Sequence, residues 1–306
     1  MTHFAKLLAA PVLLAACTAD PGGVNTDVSM AANPAAEAVA GSLEAVDYDA
    51  DSGELILRVN AIHGGTRNAT YTRVPALDTA GYQGYMMQQT PADRHYTALF
   101  QESNGNEVVA GVVADGGNNN RYFGGGFYAR QGAGIYSPYD HPVSEGEAQY
   151  FGTYAAVTNV DGAGAQLLDD SGIPTNLTPP GQADRITGII LLNADFANGQ
   201  VDAEISNRVL VDDLPGLGSL PDIMLVATAI DDNGEFAGSA EYQGDVGNTI
   251  GDYAGIFGGA GATAVGGVVY LTEFDEDGPL EGEEEYGVFV LTRCGAANDD
   301  PVCDNL

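Results

Sequence analysis

Gly146-Glu147-Ala148-Gln149-Tyr150-Phe151-Gly152 returns downstream as Gly238-Ser239-Ala240-Glu241-Tyr242-Gln243-Gly244, and the chain between and after the two copies alternates strands with tight turns. Glu147 to Val157 reads as a first strand. Ile186 to Phe196 and Gln200 to Arg208 form a pair around Asn198-Gly199, a type I′ signal. Within Gln200 to Arg208, Val201, Ala203 and Ile205 fall on one face and Asp202, Glu204 and Ser206 on the other. Ile223 to Ile230 turns at Asp231-Asp232-Asn233-Gly234 into Glu235 to Tyr242. Tyr253 to Phe257 turns through Gly258-Gly259-Ala260-Gly261 into Ala264 to Leu271, and Tyr286 to Arg293 closes the series. Eight such strands can close into an up-and-down β-barrel around their own side chains or one small ligand. The expected fold is all-β: a small β-sheet region followed by an eight-stranded barrel over 146–294.

Glycine is abundant, with 42 residues among 15 Tyr, 10 Phe and no Trp, which suits strands and turns more than helices. A first β-region is expected over 42–140. Leu43 to Tyr48 and Glu54 to Asn60 form one hairpin there. Tyr96 to Gln101 and Glu107 to Ala114 form a second around Asn104-Gly105-Asn106, and Tyr122 to Ala129 adds a further strand. Tyr136-Ser137-Pro138-Tyr139-Asp140-His141-Pro142 breaks the pattern and marks the boundary.

The charge is strongly one-sided, with 43 acidic against 10 basic residues and a formal net charge of −33. The single lysine, Lys6, lies in the leader, so the rest of the chain carries nine arginines and no lysine. Phosphate-loop, Schiff-base and lysine-base chemistries are thereby excluded. Nucleic acid and anionic lipid are electrostatically poor partners. Saline surroundings, where exposed charges repel over only a few ångströms, suit such a surface.

Met1 to Ala16 has a basic start and a short apolar run ending Leu14-Ala15-Ala16-Cys17. This resembles the lipobox of bacterial lipoproteins. The resemblance implies cleavage before Cys17, acyl chains on its sulfur and amine, and durable anchoring in the outer membrane. Residues 17–41 read as a flexible tether, with a short helix allowed over Ala31 to Ala40.

No catalytic constellation emerges. His63, His95 and His141 lack paired zinc spacing, and no Gly-x-Ser-x-Gly is present. The acid-rich turns at Asp231 and Asp275 do not continue into an EF-hand loop. The expectation is no metal, no cofactor and no enzyme. Outside the cytoplasm Cys294 and Cys303 are expected to pair, leaving 295–306 as a disulfide loop and tail.

Gly-x-Ala-x-Tyr-x-Gly opening the barrel region, Ala194-Asp195-Phe196-Ala197-Asn198 before a hairpin turn, and Gly255-Ile256-Phe257-Gly258 leading to Val265-Gly266-Gly267 resemble the transferrin-binding protein B barrel superfamily. Its members include surface lipoproteins that bind transferrin and complement factor H. The resemblance implies a handle domain before the barrel, and a lipoprotein of the outer membrane that binds a protein or small solute outside the cell. This chain has room for one such lobe. A structural envelope lipoprotein and a carrier using the barrel interior are the alternative readings.

Successive connections of an up-and-down barrel alternate between its two ends. The tight connections after strands two, four and six share one end. The longer ones, 158–184, 209–222, 243–252 and 272–285, meet at the other, where binding loops are expected. That end gathers Asp169, Asp170, Asp212, Asp213, Asp275, Asp277, Glu281, Glu283, Glu284 and Glu285, which are expected to present carboxylates to a basic partner or to cations.

Overall fold

The computed structural model describes residues 34–49, 52–60, 66–117, 121–131, 134–141, 146–174, 178–212, 219–275 and 282–305. Cys17, the leader, Ala31 to Asn33 and His63 lie outside these residues.

Seven antiparallel strands form the first sheet in chain order: β1 (Leu43–Asp49), β2 (Glu54–Asn60), β3 (Thr66–Arg73), β4 (Gln83–Met87), β5 (Tyr96–Glu102), β6 (Val108–Asp115) and β7 (Gly124–Arg130). The two hairpins and the β7 strand match the sequence expectation. β3 and β4 are additions, both weakly apolar segments recruited by pairing with β2 and β5. Residues 34–40, read as the end of the tether, form α1 (Pro34–Ala40), whose Val39 is fully buried. One sheet face carries its own aromatic cluster, with Phe100 against Tyr48, Tyr85 and Phe127.

The barrel follows as β8 (Glu147–Asp161), β9 (Ala183–Asp195), β10 (Gln200–Leu210), β11 (Ile223–Ala229), β12 (Glu235–Tyr242), β13 (Thr249–Gly258), β14 (Ala264–Leu271) and β15 (Glu285–Arg293), closed by pairing of β15 with β8. All eight expected strands are present, and a sheet followed by an eight-stranded barrel is the architecture that the family resemblance implied. Both copies of the repeated phrase turn their alanine and tyrosine inward: Ala148 and Tyr150, then Ala240 and Tyr242. The copies are not equivalent, since the first opens β8 and the second ends β12.

The turn at Asn198-Gly199 departs from type I′, which needs positive φ at both central residues. Here only Gly199 is left-handed, at φ 64°. The strands end at the Asp195–Gln200 pair, so the loop has four residues. The Asp195 carboxylate takes the N–H groups of Ala197 and Asn198 at 3.0 and 2.9 Å. An aspartate capping its own turn outcompetes the tighter geometry. Asp231 does the same for Asn233 and Glu235, both at 2.8 Å.

Sheet and barrel share a core. The second face of β5–β7 lies on the outer wall of β13, β14, β15 and β8. Close approach demands glycine there: a Cβ on Gly126 would sit 2.4 Å from a Val268 methyl. Hydrogen bonds cross the same junction, from Tyr82 to the Thr153 carbonyl at 3.0 Å and from the Val290 N–H to the Tyr82 hydroxyl at 2.9 Å.

Thr97 lies on this barrel-facing side of β5, and His95 immediately precedes the strand. His95 is fully buried, and neither ring nitrogen has a hydrogen-bond partner among the described residues. Burial pushes its imidazole down to about 4 from the usual 6.5. The unfolded chain therefore takes up a proton that the folded one refuses between those pH values, so stability falls as pH drops through this window, by up to about 3 kcal/mol. Burial of Asp115, Asp161 and Asp184 raises their carboxyls and acts with the opposite sign. The difference between wild type and His95→Leu isolates the histidine: urea unfolding from pH 7 to 4 should show a steeper loss of stability for the wild type, and parallel profiles would refute this.

Candidate binding face

The barrel interior is filled. Tyr150, Tyr154, Phe236, Phe257, Leu271 and Phe289 occupy it at 2 % exposure or less. Among them lies an ion pair between Arg208 and Glu285, both fully buried. Arg208 also donates to the Pro221 carbonyl at 2.8 Å, and Tyr154 donates its hydroxyl to the other Glu285 oxygen. Burial, followed by the Glu285 charge, raises the Tyr154 phenol well above its ordinary value and keeps it a donor. Gly287 makes room for this tyrosine, since a Cβ there would fall 1.7 Å from its hydroxyl.

Strict alternation from Val201, Ala203 and Ile205 would place Arg208 outside with Asp202, Glu204 and Ser206. A bulge reverses it. Asn207 sits at φ 53°, and the pairing with β9 shifts between Ser206 and Val209. The bulge turns Arg208 into the barrel and leaves Val209 42 % exposed on the wall. Asparagine enters the left-handed region more readily than other side chains, and that preference is the one sequence signal for this feature.

The four longer connections meet at one end of the barrel, as the topology requires. Ten carboxylates were expected to face a partner there, and the structure separates them. Asp169 and Asp170 are exposed on the β8–β9 connection. The Asp169 carboxyl is lowered by the Ser171 backbone N–H. Asp212 is half-buried and takes the Ala163 N–H at 2.9 Å, tying two connections together. Asp275 is half-buried. Glu283 is 4 % exposed and accepts the N–H groups of Phe274 and Asp275. Glu284 takes the Tyr270 hydroxyl at 2.6 Å. Glu285 is the interior partner of Arg208 and cannot meet a solvent-borne ligand. Asp213, Asp277 and Glu281 lie outside the described residues.

What the sequence reading missed at this end is apolar. Six large hydrophobic side chains are exposed among the described residues, and four belong to this end: Leu168, Val209, Val211 and Val246, the last at 90 %. Neighbouring connections are linked, with the Gln243 N–H on the Asp222 carbonyl at 2.9 Å and the Gln243 side chain on Glu204 at 3.1 Å. The first sheet joins them, since the Leu168 N–H reaches the Gln88 side chain at 2.8 Å. These apolar side chains share one end of the barrel with exposed and half-buried carboxylates.

The opposite, tight-turn end is covered by the chain that joins sheet to barrel. Tyr136 bridges to Gly259, and the Gly261 N–H reaches the Ser137 hydroxyl at 2.8 Å. Arg130 lies over Tyr136, and Arg293 over Tyr139 at 3.9 Å. His141 stacks on Tyr139, and Asp140 between them is exposed. Cys294 and Cys303 form a disulfide just after β15. No group of three or more His, Cys, Asp or Glu side chains suited to a metal ion is present among the described residues.

No protein-family model matches the chain, and no curated protein matches it in sequence. Among solved structures it is similar to intact Ap-TbpB with its N and C lobes, at 13 % identity and TM-score 0.35, covering 81 % of this chain and 51 % of that one. It is also similar to two mutants of the vaccine antigen Transferrin Binding Protein B from Haemophilus parasuis Hp5. A double mutant shows 12 % identity, TM-score 0.38 and coverage of 81 % and 53 %, and a single mutant 13 %, 0.35, and 82 % and 53 %. The chain spans about half the length of these structures. Values this low do not bear on the site, and the fold rests on the strand pairing itself.

The bulge offers a local test. Asn207→Gly should leave stability within about 0.5 kcal/mol of wild type, whereas Asn207→Val, β-branched at positive φ, should lose about 1–3 kcal/mol in urea unfolding. Equal stability of the two variants would contradict the left-handed bulge.

Proposed function

We propose that the chain is a lipid-anchored outer-membrane binding lipoprotein of the transferrin-binding protein-like type. Its long-connection end meets a soluble protein outside the cell. The observation that carries this reading is the set of apolar tips, Leu168, Val209, Val211 and Val246, standing among Asp169, Asp170, Asp212 and Asp245. Exposed valines supply contact area, and the carboxylates steer a partner with a basic rim and reject acidic ones. Anchoring is supported by Leu14-Ala15-Ala16-Cys17, whose acylation would hold the barrel at the membrane by a tether. The filled interior speaks against a carrier that holds its ligand inside the barrel. Binding without catalysis fits a sequence with no Gly-x-Ser-x-Gly and no paired-histidine spacing.

The test is affinity capture from the native medium or host fluid, using the lipid-free chain from residue 18. Val211→Asp with Val246→Asp should reduce recovery of the captured protein at least tenfold, and Asn233→Asp at the tight-turn end should not. Recovery unaffected by the valine changes, or lost with Asn233→Asp, would overturn the assignment of the face. In cells, Cys17→Ala should abolish co-fractionation with the outer membrane, and retention there would overturn the anchoring.

A further inference from the structure

A cleft of about 690 Å³ opens on the outer wall at the tight-turn end, away from the face described above. That volume is in the range of small-molecule and short-peptide sites. Its floor is two adjacent rows of cross-strand neighbours on β8, β9 and β10. One row is Gln149–Asn193–Asp202, and the next is Glu147–Asp195–Gln200. Arg293 and Cys294 form one wall, and Tyr139 contributes another.

The walls are held in place. The disulfide closes the segment after β15, and the Cys294 N–H continues the ladder onto the Gln149 carbonyl at 2.8 Å. Arg293 is committed to the fold, because it lies over Tyr139 and donates to the Gly261 carbonyl.

The hydrogen-bond polarity of the floor is set by its own ladder. Gln149 donates its amide to Asn193 at 3.1 Å, and Asn193 donates its amide to Asp202 at 3.2 Å. One N–H of each of these amides is engaged within the row, and the Gln149 carbonyl and the second Asp202 oxygen are left as acceptors. In the next row, the Asn198 side-chain amide holds the Asp195 carboxyl below its ordinary range, so it stays charged. Glu147 adds an exposed carboxylate. Three carboxylates, Glu147, Asp195 and Asp202, line the cleft against the single guanidinium of Arg293, and an incoming guanidinium or ammonium supplies charge-assisted donors and the compensating charge.

We infer that this cleft binds a basic peptide segment through an arginine or lysine side chain, with Glu147 and Asp202 as its main acceptors. Residues 18–33 of this chain contain neither lysine nor arginine and do not supply the occupant.

The probe is a capped tri-arginine peptide, titrated calorimetrically into the lipid-free chain in 0.5 M sodium chloride, where diffuse attraction is largely screened. Saturable one-to-one binding is expected. It should weaken at least tenfold with Glu147→Gln and Asp202→Asn together, and stay unchanged with Asp169→Asn and Asp170→Asn at the opposite end. Tri-citrulline, which keeps N–H donors without charge, should bind at least tenfold more weakly. Absence of saturation, equal loss in both pairs of variants, or equal binding of tri-citrulline would overturn the proposal. The Asp169 and Asp170 control lets this site and the long-connection face fail separately.

Discussion

A single reversed residue in β10 shapes the long-connection end of the barrel. The bulge at Asn207 turns Arg208 inward, where it neutralises Glu285, whose other oxygen takes the Tyr154 hydroxyl. Without it Glu285 would be a carboxylate buried alone, a cost of several kcal/mol. The same reversal sends Val209 outward to join the exposed tips. One backbone irregularity thus closes the interior beneath the long connections and supplies part of the apolar surface above it. Bulges are enriched at barrel rims for this reason: they re-aim side chains where pairing ends.

The arginines explain how so acidic a chain holds together. Arg185 and Arg208 are buried, Arg94 pairs with Asp115, and Arg130 and Arg293 staple the joining segment onto the tight-turn end. Most of the positive charge is therefore spent in the fold, and the surface is left to carboxylates. Some of these are consumed locally, as at Asp195 and Asp231, which cap their own turns. The shared core between sheet and barrel then brings the β4–β5 connection against the β8–β9 one, through Gln88 and Leu168. The long-connection face is thus built by both halves of the chain.

Much of the barrel was readable because period-two alternation and turn residues coincide along 146–294. Strand number follows from these two signals, and the gathering of long connections follows from strand number. β3 and β4 escaped because Thr66–Arg73 is polar and Gln83–Met87 is short; tertiary pairing decides both. Glu283 and Glu285 sat in an acid-rich stretch that reads as solvated loop. Only the register of β15 reveals that Glu285 is the first residue of a strand and faces inward. Extending the alternation of β10 to Arg208 would put it outside, and a bulge breaks that alternation. The apolar tips were hidden for another reason: an isolated valine in a loop carries no pattern until the strand order puts several at one end of the barrel.

The inward Arg208–Glu285 pair is the claim on which this account turns, and a double-mutant cycle in urea tests it most directly. Arg208→Met alone should cost about 3–5 kcal/mol, because Glu285 is left buried without its partner. Adding Glu285→Leu should recover at least about 2 kcal/mol of that loss. Losses that simply add, within about 0.5 kcal/mol, would mean the two side chains do not meet inside the barrel, and would contradict the bulge that brings them together.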